Sequence, residues 1–477
     1  MYKYPSIAKA AAASMTAGTD INCGTAYKSG IPDAIESKLL DEIVLNEAIS
    51  RTLLGRFEVG QFDPPEDNPY TKITMNVVGS EKHLELARKA AAESAVLLKN
   101  TGNALPLRVR GNQKYKKVAV IGPSADDTLV LLGNYHGLPA YQNVSTPLKA
   151  LEKRLGTENV LYAAGVNVVT GDGAWGFDAA IDACNKANVA VMFIGSSSKG
   201  SFNGTNHLDT IEKESMDRRS IDMPGLQMDL VHAILKKTNI SIIVVLVDGG
   251  PIAIEELVNN ERVIAIVNVF YPGQMGGEGV VDVLMGDVSV SGKLPMTMYH
   301  KNYTDEIEAT NMNMRTYPGR TYKFVQVPVL FPFGFGLLYT KFQYDSLSIS
   351  KRREMPLHGS NYLAEASFVD VSFTIRNVGE IESDLTLLLF LSYREAPANE
   401  FNEPSKGVLR HPIRQLKYFT KLKGIKPQND DDVRSVNFEL KHSDFELIFE
   451  NGMRKFVEGK WRVEINHDSI LAQEFYV

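Results

Sequence analysis

Four unbroken apolar runs, "KVAVIG", "VAVMFIG", "IIVVLVDGG" and "VIAIVNVFY", constrain the fold of this chain more than any other feature. Each is hydrophobic at consecutive positions, so each must be covered on both faces, and helical stretches separate them. Covered strands joined through helices make a parallel sheet in an α/β layer. The runs stop near ten residues, far short of the roughly 20 that a membrane helix requires. They read as core strands, and no membrane span is expected. Each run ends in a Gly or Pro turn: "GPSADD", "GSSSKG", "GGP" and "YPGQMGG". Ligands of open parallel sheets bind beyond the carboxyl ends of the strands, so a site is expected among these turns.

The segments on either side have other periods. Ahead of the sheet, "YPSIAKAAAASMTAG" is Ala-rich and helical, and "DEIVLNEAISRTLLGRF" places Leu45, Ile49 and Leu53 on one helix face. Between them "TDINCG" is a strand candidate. Pro64, Pro65 and Pro69 then mark a linker without periodicity. "LELARKAAAESAVLLKN" is expected to be a helix opening the α/β unit. From about Phe368 the pattern alternates, with Val371, Phe373 and Ile375 facing one way, and helices disappear. Short alternating strands separated by polar turns predict a β-sandwich.

Composition narrows the function classes. The 477 residues carry a net charge of −6, without the Lys/Arg stripes interleaved with aromatics that nucleic acid demands. Two cysteines, Cys23 and Cys184, exclude a disulfide scaffold and a thiolate metal cluster. The nine histidines show no metal-ligand spacing with a carboxylate, so no metal and no cofactor are expected. His136 in "GNYHG" reads as a packed or surface histidine. The glycine-rich turns match neither a dinucleotide fingerprint nor a P-loop, and read as tight turns requiring small residues. No G-x-S-x-G elbow occurs. The start "MYKYPSIAKAAAASMTAG" has no apolar core of a secretion signal. The sequons at Asn143, Asn203, Asn239 and Asn302 weigh little at this length.

The chemistry-bearing stretch is "TIEKESMDRRS", residues 210–220, beyond the carboxyl end of "VAVMFIG". A carboxyl group on a loop over a cleft can protonate a leaving oxygen when its surroundings favour the neutral acid. Composition alone favours a blander reading, in which Glu212 and Glu214 are solvated and Asp217–Arg218 is an ion pair ordering the turn.

Several stretches together resemble glycoside hydrolase family 3, in particular its β-xylosidase/α-arabinofuranosidase branch. They are "AGTDINCG", "HLELARKAAAESAVLLKNTGNALPL", "VAVIGPSADDT" with "LGNYHGLP", "YPGQMGGEGVVDVLMGDVSVSGKLPMTMY", "YPGRTYKF" and "FPFGFGLLYTKF". The likeness runs from about residue 5 to the end. It implies a fragment of a (β/α)8 barrel over 1–62 and a linker over 63–83. A parallel α/β sandwich over 84–300, a connecting segment over 301–364 and a fibronectin type III-like β-sandwich over 365–477 follow.

"TIEKESMDRRSIDMPGLQ" resembles that branch's E-x-E-G-x-D-R loop, whose second Glu is the general acid/base. The resemblance therefore assigns Glu214 as acid/base, with Glu212 as runner-up and Asp217 and Arg218 in support. Ser215 and Met216 depart from the pattern, Ser215 standing where a Gly is usual. "MPGLQMDLVHAIL" reads as a helix with Pro224 at its start, anchoring the loop's far end. A retaining glycosidase needs a second carboxylate about 5 Å away as nucleophile. The resemblance places that Asp on a barrel strand ahead of residue 1, so the nucleophile is unknown; Asp20 matches a later acidic position and is not promoted to it.

The expectation is thus the C-terminal part of a β-glycosidase acting on xylo- or arabino-oligosaccharides, extracellular by resemblance and inactive as this segment alone. The alternative is a non-catalytic carbohydrate-binding or regulatory paralogue built on the same domains.

Overall fold

The computed structural model describes residues 4–109, 112–137, 143–167, 176–198, 212–214, 218, 220–352, 366–394, 411–428, 432–449, 451–467 and 471–477. The chain divides into two compact units, Met1–His83 and Leu84–Val477.

In the first unit, helices α1 (Ile7–Thr16), α2 (Ala26–Glu36) and α3 (Glu42–Glu58) close on a small core of Ala12, Met15, Ala34, Leu40 and Ala48. Ser6 and Asp41 cap α1 and α3, their side-chain oxygens accepting from the N–H groups of Lys9 and Ile43. The strand expected in "TDINCG" is absent. A strand needs a neighbour for its backbone groups, and this unit offers only helices. Of the expected α3 face, Leu45 packs on the core, while Ile49 and Leu53 are exposed.

The second unit opens with α4 (Glu81–Ser94), which ends earlier than expected. The apolar "VLLKN" that follows forms a strand, β1 (Val96–Asn100), rather than continuing the helix. Strands β2 (Val118–Ile121), β3 (Val160–Ala163), β4 (Val189–Gly195), β5 (Ile242–Val247) and β6 (Val263–Asn268) complete a six-stranded sheet of order β1-β6-β5-β4-β2-β3. All neighbours pair in parallel except β1, which lies antiparallel on β6 at one edge. The four apolar runs are the four central strands, and alternate residues serve opposite faces. Val191, Phe193, Val245 and Val267 join one core with helices α6 (Pro147–Leu155) and α10 (Gly276–Met285). Met192, Ile194, Val244 and Ile266 join the other with α7 (Phe177–Asn185), α8 (Gln227–Lys237) and the short α9 (Glu255–Asn259).

The glycine-rich "MGGEG" lies inside α10 and is a packing device rather than a turn. A Cβ on Gly277 would sit 2.3 Å from the Thr146 carbonyl carbon, and one on Gly279 would sit 2.6 Å from the Arg88 oxygen. So close an approach buries Asp282, which both Arg88 (2.6 Å) and Arg154 (2.9 Å) then hold. Burial pushes the Asp282 carboxyl up, but the two guanidinium groups outweigh it and keep it below its ordinary value.

The sandwich pairs a three-stranded sheet with a four-stranded one, all antiparallel. Its first strand, β7 (Phe342–Lys351), precedes the boundary expected from sequence. The left-handed Ser346 (φ 62°) and a register shift interrupt its alternation, which hides it from a period-2 reading. Beyond it, β8 (Ser367–Asn377) alternates as expected, burying Val371, Phe373 and Ile375, whereas β9 (Ser383–Tyr393) alternates only at its start and is buried continuously over 387–392. No helix among the described residues is long and apolar enough to cross a membrane.

Phe193 is fully buried at the centre of β4. Replacing it with Ala should cost about 3–5 kcal/mol by the lost transfer energy and the cavity left behind. Urea unfolding should show a lower midpoint at unchanged slope.

Candidate active site

The carboxyl ends of β4, β5 and β6 lie at one edge of the sheet and lead into Ser196, into Asp248 and Gly249, and, after the short "VF" step, into Tyr271. The loop that leaves β4 carries both candidate carboxylates, and the structure treats them oppositely.

Glu212 is the centre of a dense cluster. Its Oε1 accepts from Ser196 Oγ (2.6 Å), Tyr271 Oη (2.9 Å) and the Gly249 amide (3.1 Å), while Oε2 pairs with Arg218 Nε at 2.6 Å. Its backbone N–H donates to the Ser197 carbonyl. Gly249 has to be glycine, because a Cβ there would lie 2.7 Å from both Glu212 Oε1 and the Tyr271 ring. Phe270, at φ 54°, is a non-glycine residue in the left-handed region immediately before Tyr271. Its N–H donates to Asn268 Oδ1 at 2.9 Å, so the buried Asn268 holds the turn that aims the phenol. Burial pushes the Tyr271 phenol up, which keeps it a donor to Glu212. With partners on both oxygens, the Glu212 side chain is fixed in place.

Glu214, two residues on, is exposed, and its Oε2 accepts from the phenol of Tyr135 at 2.5 Å. Tyr135 comes from the loop after α5 (Thr128–Leu132), the "GNYHG" segment. Beside it, the His136 ring meets the Gly133 carbonyl at 3.1 Å, a local contact. Arg218 lies beyond Glu214 in sequence and Glu212 lies before it, so their ion pair brackets Glu214 along the chain. Asp217 lies outside the described residues. Asp20, in the other unit, is engaged by Arg51 through Nε and Nη2 at 3.0 and 2.8 Å.

Two further residues were missed by sequence reasoning. Gln227, fully buried at the start of α8, donates to and accepts from the backbone of Gly195 (2.8 and 2.9 Å) and donates to the Pro224 carbonyl (2.9 Å). It ties the loop's far end to the end of β4; Pro224 itself sits ahead of the helix, which starts at Gln227. A polar residue opening a helix beside a Pro-Gly turn was the available signal. Asp248 is fully buried at the end of β5, with Oδ2 accepting from Asn268 Nδ2 at 3.0 Å. Burial pushes its carboxyl up to about 8; the Glu212 charge acts in the same direction, and Arg218 and the Asn268 amide offset only part. Nothing in "VDGG" separates a buried Asp from a turn Asp.

Residues 95–339, a little over half of the chain, match the Glycosyl hydrolase family 3 C-terminal domain. The chain belongs to glycosyl hydrolase family 3. Within that family it is 33% identical over 474 residues to a probable exo-1,4-beta-xylosidase of Neosartorya fischeri, covering 96% of this chain and 56% of that protein. It is 38% identical over 358 residues to beta-D-xylosidase 1 of Arabidopsis thaliana, covering 74% of this chain and 43% of that one. In three dimensions it resembles a family 3 exo-beta-xylosidase solved with a xylobiose aziridine probe, at a TM-score of 0.81 and 29% identity over 99% of this chain and 58% of that one. The chain thus spans about half the length of these relatives, from 43% to 58%.

The two glutamates are separable by stability alone. Glu212→Gln strands Arg218, whose side chain is only 14% exposed. Breaking a buried pair costs about 3–5 kcal/mol, and partial exposure here reduces the expected loss to roughly 2–4 kcal/mol. Glu214→Gln, at an exposed position, should change the unfolding free energy by less than about 0.5 kcal/mol. Urea titration of the two variants checks both values.

Proposed function

We propose that this chain supplies the acid/base side of a retaining β-glycosidase that removes xylosyl or arabinosyl residues from oligosaccharides, with Glu214 as the proton donor and acceptor. The observation that carries this reading is the contrast between the two glutamates. Glu212 is held through both oxygens by four partners, whereas Glu214 is exposed and, among the described residues, accepts from one phenol. A group that must give a proton to a leaving oxygen and later take one from water needs such an open oxygen. The neighbourhood of known xylosidases supports the substrate class.

In this reading Glu212 and Arg218 position the loop and take no part in proton transfer. Asp217 is carried in the same supporting role on the resemblance alone. The nucleophile, the second carboxylate of the mechanism, is assigned to the part of the relatives' length that this chain does not span. An extracellular location belongs to the same proposal and rests on the same resemblance.

The test uses this chain joined to the remaining, amino-terminal portion of the Arabidopsis relative. Glu214→Gln should lower kcat on xylobiose by about 10²–10⁴-fold, the usual range for one general acid/base. The loss in the glycosylation step should be much smaller on an aryl xyloside with a very good leaving group, and azide should restore turnover by trapping the glycosyl-enzyme. If Glu212→Gln gives this pattern and Glu214→Gln does not, the assignment is wrong. Binding of xylobiose without turnover by the intact hybrid, when the relative itself turns over, would favour the carbohydrate-binding alternative.

A further inference from the structure

Beneath the Glu212–Arg218 ion pair lies a second carboxyl group that the glycosidase reading does not use. Asp248 is fully buried, one residue before the Gly249 amide that donates to Glu212. Its Oδ2 takes a hydrogen bond from Asn268, while its Oδ1 is buried without a hydrogen-bond partner among the described residues. Arg218 shows the complementary feature: Nε is spent on Glu212, and the buried Nη1 has no partner among the described residues. The other terminal nitrogen, Nη2, lies 3.0 Å from where a Cβ on Gly250 would be, which places the guanidinium against the 248–250 turn. A buried anion acceptor and a buried cationic donor, both unsatisfied among these residues, therefore flank one turn.

We propose that Asp248 is a positioning residue for the Glu212–Arg218 ion pair: as a neutral acid it leaves Arg218 to Glu212, and as an anion it draws Arg218 away and loosens the hold on Glu212. The ionisable groups facing Asp248 among the described residues are Glu212 and Arg218 from the loop after β4 and Tyr271 from the turn after β6. Glu212 opposes ionisation of Asp248 and Arg218 favours it, so the two carboxylates compete for one guanidinium. The Tyr271 phenol, itself pushed up by burial, stays neutral while Asp248 titrates. Asp248 is fully buried, and burial disfavours its charged form, pushing its carboxyl up to about 8.

The sign follows from linkage. A carboxyl group whose folded value lies above its unfolded one holds a proton that the unfolded chain has already released. Stability relative to an Asn variant therefore falls as pH rises from about 4 to about 8 and is level above. The ratio of unfolding constants, wild type over Asp248→Asn, should rise by about tenfold per pH unit across that window.

The experiment uses the 477-residue chain and two readouts. Urea unfolding of wild type and Asp248→Asn between about pH 5 and pH 9 reads the linkage. Hydrogen exchange of the Glu212 and Gly249 amides, corrected for intrinsic rates, reads the loop itself. Protection of both amides in the wild type should fall roughly tenfold as pH passes about 8, and should stay constant in Asp248→Asn. Unchanged protection in the wild type overturns the proposal, as does an equal fall in the variant. If Asp248→Asn does not fold, the infrared band of a buried protonated carboxyl group decides in the wild type. Loss of that band together with amide protection near pH 8 supports the proposal, and loss of protection without it overturns it. The role for Glu214 in catalysis rests on the glycosidase reading, whereas exchange and unfolding need no turnover, so the two ideas fail separately.

Discussion

Four donors converge on the carboxylate of Glu212, and they come from the ends of three adjacent strands and from the loop it sits on. A partly buried anion is tolerated only when its lone pairs are satisfied. That requirement makes the order of β4, β5 and β6 matter for the site: Ser196, Gly249 and Tyr271 meet because those strands are neighbours and run in parallel. Parallel neighbours bring all their carboxyl ends to one edge. The sheet can remain parallel because α6 and α10 cover one face and α7 and α8 the other.

The same logic extends outward. Gln227 ties the far side of the loop to the end of β4, and α8 begins where that tie is made. On the opposite face, α10 packs so closely through its glycines that Asp282 is buried and needs two guanidinium groups. A similar network links α4 to the sandwich, where Glu93 accepts from Lys421 and Lys423 and Asp384 shares Lys423. Buried or half-buried carboxylates, each answered by a basic group on a sequence-distant element, recur through the second unit. They specify how elements join more than they add stability, because the desolvation cost offsets much of the attraction.

What the sequence determined by itself is the layer structure. Consecutive apolar residues in "VAVMFIG" and "IIVVLVDGG" can only be strands covered on both faces, and alternation in "FVDVSFTIRNVG" can only be a strand covered on one. The motif resemblance led to the right family. Tertiary structure alone decided the antiparallel edge strand β1 and the helical unit where "TDINCG" was expected to be a strand, because both depend on which neighbour is available for backbone pairing. It alone separated Glu212 from Glu214, two residues apart and chemically identical, since the tyrosines they meet, Tyr271 and Tyr135, lie 59 and 79 residues away. It alone buried Asp248, because burial is a property of the packed layers and not of the tetrapeptide in which the residue stands.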